Sequence, residues 1–155
     1  MGRWLVKTEP STYAWSDLIR EGRTAWTGVS NPQAQANLRS MRTGDAVVVY
    51  HSGVKEAVGL AEVVREAYPE PGAGGLVCVD LRPREPLPGP VGLDALRASK
   101  PFARSPLLRQ GRLSVVPLEE AQWEELLRLA SRPEPAPKPR KAARRPARAR
   151  RAVRP

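Results

Sequence analysis

Histidine, cysteine and phenylalanine each occur once in this chain, and these scarcities remove whole classes of chemistry. A zinc centre draws its ligands from several His and Cys side chains. His51 and Cys78 alone cannot supply them, so no metal site is expected and zinc-dependent base deamination is excluded. A lone cysteine cannot form a disulfide within the chain. Cys78 lies in the apolar run Leu76–Leu81 and is expected to be a buried, inert thiol. A Ser–His–Asp triad would have to use His51, and no Gly-x-Ser-x-Gly elbow accompanies it. The stretch Gly72–Gly75 lacks the Lys-Ser/Thr of a phosphate loop and reads as a hairpin tip. The acidic pairs Glu119-Glu120 and Glu124-Glu125 suit the first turns and outer face of a helix. No cofactor and no catalytic residue are therefore expected. No apolar run approaches membrane-spanning length and no leader precedes the first strand, so a soluble protein is expected, cytoplasmic or nucleoid-associated, without a membrane partner.

Most of the chain has almost no excess of charge of either sign, and the excess is concentrated at its end. Residues 1–131 hold 16 Lys/Arg and 15 Asp/Glu, whereas residues 132–155 hold 10 Lys/Arg against Glu134. The net +10 thus belongs almost wholly to the last segment, RPEPAPKPRKAARRPARARRAVRP. That segment has no aromatic residue and only Val153 as a large aliphatic, too little apolar surface to offset its ordering entropy. It is expected to be a disordered arm beyond a domain spanning 1–131. Lys138, Arg140, Lys141, Arg144, Arg145, Arg148, Arg150 and Arg151 are its candidate nucleic-acid contacts. The alternative is a merely solubilising extension.

A length of 155 residues suits one domain. Arg3–Lys7 reads as a first strand, and Tyr13–Arg20 as a short helix with Leu18 and Ile19 inward. Trp26 falls in a loop over Ala25–Ser30. Asn31-Pro32 has the cap and first residue of a helix, whose Ala34, Leu38 and Met41 share one face. Strands follow at Ala46–His51, Ala57–Ala67 and Leu76–Arg82. Pro83–Pro90 holds too much proline for a sheet interior. Short helices are expected near Leu93–Ala98 and from Ser105-Pro106 to Gly111, then a strand at Arg112–Val116 and a helix at Glu119–Ala130. Five or six strands with short helices between them argue for an α/β (α+β) domain, a mixed sheet closing into a barrel.

A pocket for a flat polar ligand needs an apolar wall and a few fixed polar groups. Trp26 beside Gly28 is the best wall, although a core role suits a tryptophan equally. Trp15 can pack the first helix or form a second wall. Trp4 and Trp123 sit on regular elements and belong to the core. Asn31 caps a helix whose N-terminus can also receive an acceptor. Tyr50, His51 and Ser52 end a strand, where side chains reach over a barrel mouth. Arg112 and Ser114 are candidate phosphate and edge contacts.

Three segments together, Trp4-Leu5-Val6-Lys7-Thr8-Glu9-Pro10, Ala25–Gly53 and Arg112-Leu113-Ser114-Val115-Val116-Pro117, closely resemble the EVE domain, from about Arg3 to Ala130. The resemblance implies a PUA-like pseudobarrel with peripheral helices, kinship with YTH-type readers of methylated adenine, and a tryptophan at the Trp26 position of the motif. It also implies a pocket rim at Lys7-Thr8-Glu9, with Lys7 near a phosphate and Thr8 or Glu9 at a base edge. Thr27 and Ser30 depart from the usual Asp and Arg, and the missing arginine removes one phosphate or base contact. The expected function is non-enzymatic reading of a modified base in DNA or RNA, flipped or unpaired, by a monomer. An architectural protein binding through its arm, and a nucleotide-acting enzyme using His51 as base, are the alternatives.

Overall fold

The structure, a computed structural model, describes residues 2–131. The expected arm, with its candidate contacts from Lys138 to Arg151, lies outside the described residues. The strands are β1 (Arg3–Thr8), β2 (Thr24–Trp26), β3 (Ala46–His51), β4 (Glu56–Pro69), β5 (Val77–Gly92) and β6 (Val115–Leu118). The α-helices are α1 (Trp15–Glu21), α2 (Pro32–Ser40), α3 (Leu93–Arg97), α4 (Pro106–Arg109) and α5 (Glu120–Ser131). One mixed sheet runs in the order β2-β5-β4-β3-β1-β6.

The centre of the sheet was legible because it is buried on both faces. Trp4, Leu5 and Val6 of β1 and Val47–Tyr50 of β3 are consecutive buried residues, the uninterrupted apolar pattern of a doubly covered strand. β1 and β3 run parallel, with Lys7 opposite Tyr50 and Thr8 opposite His51. A parallel pair needs a long crossover, and this one carries α1, β2 and α2. It thereby delivers Trp26 to the far edge of the sheet, opposite Val79 of β5.

α2 packs against β6 on one side and β4 and β5 on the other, so it bridges the two ends of the sheet. Two amides fasten it. Asn37 donates through Nδ2 to the Val115 carbonyl at 2.8 Å. Gln35, itself buried, donates to the carbonyls of Val29 and Val77 and accepts from the Val77 N–H. Ala34, Leu38 and Met41 form the expected buried stripe. This closure makes the expected pseudobarrel.

Several boundaries differ from expectation. Trp26 ends a three-residue strand and is not in a loop. α1 starts at Trp15, leaving Tyr13 in the preceding turn, and Ile19 is 48% exposed while Leu18 is fully buried. Adjacent helical residues lie about 100° apart, so one of the pair must turn outward. β6 covers Val115–Leu118, leaving Arg112 in a turn. β5 continues through the prolines to Gly92. β2 covers it only at Val79–Leu81, so beyond that point β5 is an edge, where proline is tolerated. A register shift in the β4–β5 ladder sets both Pro83 and Pro86 opposite alternate β4 residues, Ala61 and Gly59.

Candidate functional site

A cavity of about 420 Å³ opens between the end of β1, the turn before α1, all of β2 with the following loop, and Ser114. That volume lies within the usual span for small-molecule pockets, about 300–1,000 Å³. Its aromatic wall is a pair. Trp26 and Tyr13 meet edge to face, with ring centroids 5.9 Å apart and planes at 88°. Trp26 is only 6% exposed, so it is at once a core residue and a wall of the cavity.

The remaining lining is mostly hydroxyl. Thr8, Thr12, Thr24, Thr27 and Ser114 all line the cavity. The Thr8 hydroxyl donates to the Tyr13 carbonyl at 2.6 Å, which orients the turn carrying Tyr13 and leaves the oxygen able to accept. The phenol of Tyr13 donates to Glu21 at 2.7 Å. Burial pushes its pKa up to about 12, so the ring stays neutral at ordinary pH. Lys7 is the one charged side chain among the lining residues. Its amine donates to the Gly111 carbonyl at 2.9 Å and stands 5.8 Å over the Tyr50 ring. Burial holds its pKa below the usual lysine value. Such a site offers an aromatic wall, hydroxyls that donate or accept, and one cation, with no carboxylate among its lining residues to repel an anion.

The loop after Trp26 is shaped for close approach. Gly28 has φ +79°, a conformation that other residues adopt only at a cost. Its N–H donates to a Glu70 carboxylate oxygen at 3.3 Å. Val29, which also lines the cavity, is held through its carbonyl by Gln35 at 2.7 Å.

Of the residues singled out in the sequence, the fold gathers Lys7, Thr8, Trp26, Gly28 and Ser114 around this cavity. Glu9, Trp15, Ser30, Asn31, Tyr50, His51, Ser52 and Arg112 are not among its lining residues. Asn31 caps α2, accepting from the Ala34 N–H at 2.9 Å. Tyr50 is buried beneath Lys7. His51 accepts the Trp15 N–H at 2.9 Å through Nε2, and burial lowers its pKa. Trp15 packs on Gly59, where an added Cβ would lie 2.5 Å from the indole. Ser52 and Ser11 hydroxyls lie within 3.5 Å of the Glu9 carboxylate, while Ser30 and Arg112 are exposed. Sequence reasoning missed Tyr13, Thr12, Thr24 and Thr27. Tyr13, an aromatic in the turn just after the first strand, was the one detectable signal. The threonines come from separate segments and follow no spacing. Among the described residues no group of His, Cys, Asp and Glu could hold a metal ion, and no helix is long and apolar enough to cross a membrane.

Comparison with known proteins places this arrangement. Residues 2–129 match the family model described as the EVE domain. Thymocyte nuclear protein 1 of Homo sapiens is 38% identical over 80 residues, 43% of this chain and 36% of that protein. The matched stretch thus spans about a third of that relative's length. Among solved structures, an NMR structure of a Rhodopseudomonas palustris protein is 41% identical with a TM-score of 0.79, covering 84% of this chain and 93% of that one. Human THYN1, crystallised in complex with DNA containing 5-methylcytosine, is 26% identical with a TM-score of 0.79, covering 86% of this chain and 100% of that one. The fold alone extends to a YTH domain of Zygosaccharomyces rouxii, crystallised with N6-methyladenosine RNA, at 11% identity and a TM-score of 0.57 over 86% of this chain and 88% of that one. With its sheet order, its Trp26 cavity and a match over residues 2–129, the chain belongs to the EVE domain family.

Proposed function

We propose that this protein is a non-enzymatic reader of modified nucleic acid that captures one flipped or unpaired base in the Trp26 cavity. The observation carrying this reading is the cavity itself: an aromatic wall, five hydroxyl side chains and the Lys7 amine around about 420 Å³. The human relative crystallised with 5-methylcytosine DNA supports the ligand class. In this reading the indole stacks on the base and the Thr8, Thr24, Thr27 and Ser114 hydroxyls meet its polar edge. Lys7 faces the sugar-phosphate side.

The energies are compatible. Extruding a base costs a few kcal/mol, least where pairing is already weak. Stacking on an aromatic side chain returns about 1–3 kcal/mol per base. Hydroxyl contacts at the base edge and phosphate electrostatics supply the remainder. The basic segment 132–155 adds sequence-independent affinity in this scheme and no selectivity.

A catalytic reading has little to work with. His51 would have to act as base, yet its Nε2 is engaged by the Trp15 N–H. The test is equilibrium binding to a panel of single- and double-stranded DNA and RNA oligonucleotides, each carrying one modified base. Preference for a modified over the matching unmodified oligonucleotide is the expected result. Equal binding across the panel overturns the reading.

A further inference from the structure

The near neutrality of residues 1–131 conceals a division of charge within the folded domain. From Ala98 to Leu118 there is no Asp or Glu, but there are Lys100, Arg104, Arg109 and Arg112. The rest of residues 1–131 holds 12 Lys/Arg against 15 Asp/Glu. All four of these cations are exposed, and none forms an ion pair with a carboxylate of the described residues. Of the other twelve, Arg3, Arg20, Arg23, Arg82, Arg84, Arg97 and Arg128 are each paired, and Lys7, Arg39, Arg42, Lys55 and Arg65 come from segments that also carry carboxylates.

The position of this connection gives the charge its meaning. At one end its turn abuts the cavity, since Lys7 donates through Nζ to the Gly111 carbonyl and through its backbone N–H to the Ser114 carbonyl. At the other end lies a second cavity, a groove of about 650 Å³. Lys100 and Arg104 line it over an apolar surface from Pro106, Pro117 and Leu118, with Glu119 its one carboxylate. Ser114 lines the first cavity and Pro117 the second. Three residue steps of extended chain separate them, about 10 Å.

We propose that the groove and the exposed cations of the α3–β6 connection form a phosphodiester track, which holds the backbone flanking the base captured at Trp26. The inference rests on that base-reading function for its geometry. Charge complementarity selects the occupant, because four cations against the single groove carboxylate Glu119, two of them over an apolar floor, suit a chain of phosphates with sugars between them.

The test uses the full chain and two probes, a single-stranded 12-mer DNA with one 5-methylcytosine and its unmodified counterpart. The dependence of log K on log salt is compared for the parent, for K100Q/R104Q/R109Q/R112Q, and for R20Q/R82Q/R84Q/R97Q. The last removes the same charge from paired arginines elsewhere. Each lost phosphate contact on a single strand flattens the slope by about 0.7. The first variant is therefore expected to flatten it by up to about 3 units, and the second to leave it near the parent's. Equal slopes for parent and first variant, or equal shifts in both variants, overturn the proposal. In an independent measurement on the unaltered chain, the 12-mer should shield Lys100 from amine acetylation while Lys55 stays reactive. An equally reactive Lys100 in the complex overturns it too, as does competition by polyglutamate matching that of DNA. Should the two oligonucleotides bind alike, base reading fails, and the slope with the unmodified strand still decides the track.

Discussion

The Nε2 of His51, at the end of β3, accepts a hydrogen bond from the backbone N–H of Trp15 at 2.9 Å. The first N–H groups of a helix have no partner within it, and this imidazole supplies one from across the sheet. A neutral ring can accept that bond and a protonated ring cannot. The lone histidine is thus explained by the way α1 is seated.

Burial lowers the His51 pKa from its ordinary 6.5. The unfolded chain therefore binds the proton more readily than the folded one, and stability rises with pH between the folded value and 6.5. The contribution is complete above about 6.5 and declines as pH falls below it. Melting temperature should drop on acidification from pH 7 to pH 5. His51→Gln, whose amide oxygen can still accept, should flatten that part of the profile. An unchanged profile in the variant would assign the acid sensitivity to other groups.

Cys78 is fully buried beside Val79 in β5 and forms no disulfide. A thiol with no exposed surface reacts only when the structure opens. Labelling by an aromatic disulfide reagent should be slow in native buffer and should accelerate in parallel with unfolding by urea. Rapid labelling of the native protein would show that β5 opens locally.

Parts of this architecture were legible and parts were not, for identifiable reasons. β1 and β3 announce themselves because burial on both faces leaves unbroken apolar runs at Trp4–Val6 and Val47–Tyr50. α2 was legible from its cap, since Asn31-Pro32 has one strong local meaning. β2 was not, because three residues carry no period and its partner β5 is 50 or more positions away. The prolines after Arg82 gave a correct reason, unsuitability for a sheet interior, but did not reveal that β5 runs on as an edge strand. In the site, Lys7 and Thr8 were found through the family resemblance, and Trp26 through its place beside Gly28 and its motif. Tyr50 and His51 entered the same list because they end a strand, where side chains can reach over a barrel mouth. Their side chains instead serve the core and the α1 terminus.

The segment 132–155 carries ten Lys/Arg. If each contacts a phosphate, its removal should reduce the salt slope by roughly 0.7–0.9 per contact. A truncated chain ending at Ser131 should therefore bind oligonucleotides more weakly and with a shallower salt dependence. It should rank modified bases as the full chain does. An isolated 132–155 peptide giving the same ranking would remove the cavity from the account of selectivity.

Gln35 should prove unusually sensitive for an amide. Its side chain makes three hydrogen bonds of 2.7–2.9 Å to the backbone of Val29 and Val77. Gln35→Leu keeps the size but strands those buried groups, at about 1–3 kcal/mol for each left without a partner. Urea unfolding should show the loss as a lower midpoint with little change in slope. A midpoint equal to the parent's would mean that water or a shifted loop replaces the amide.

Trp26 tests the base-reading proposal most sharply because it has two roles to separate. At 6% exposure it belongs to the core, so Trp26→Ala should remove about 3–5 kcal/mol of stability. If it also stacks on the captured base, the same change should cost about 1–3 kcal/mol of binding to the preferred oligonucleotide. Phosphate contacts carry no sequence information directly, so binding to the unmodified strand should weaken far less. Trp26→Phe keeps an aromatic ring against Tyr13 and should retain the fold while narrowing the stacking surface. Melting and binding measured together at low temperature separate the roles. Lower melting with a reduced preference for the modified base supports a stacking wall. Lower melting with the preference intact would make Trp26 a core residue only, and would leave the cavity without its reader.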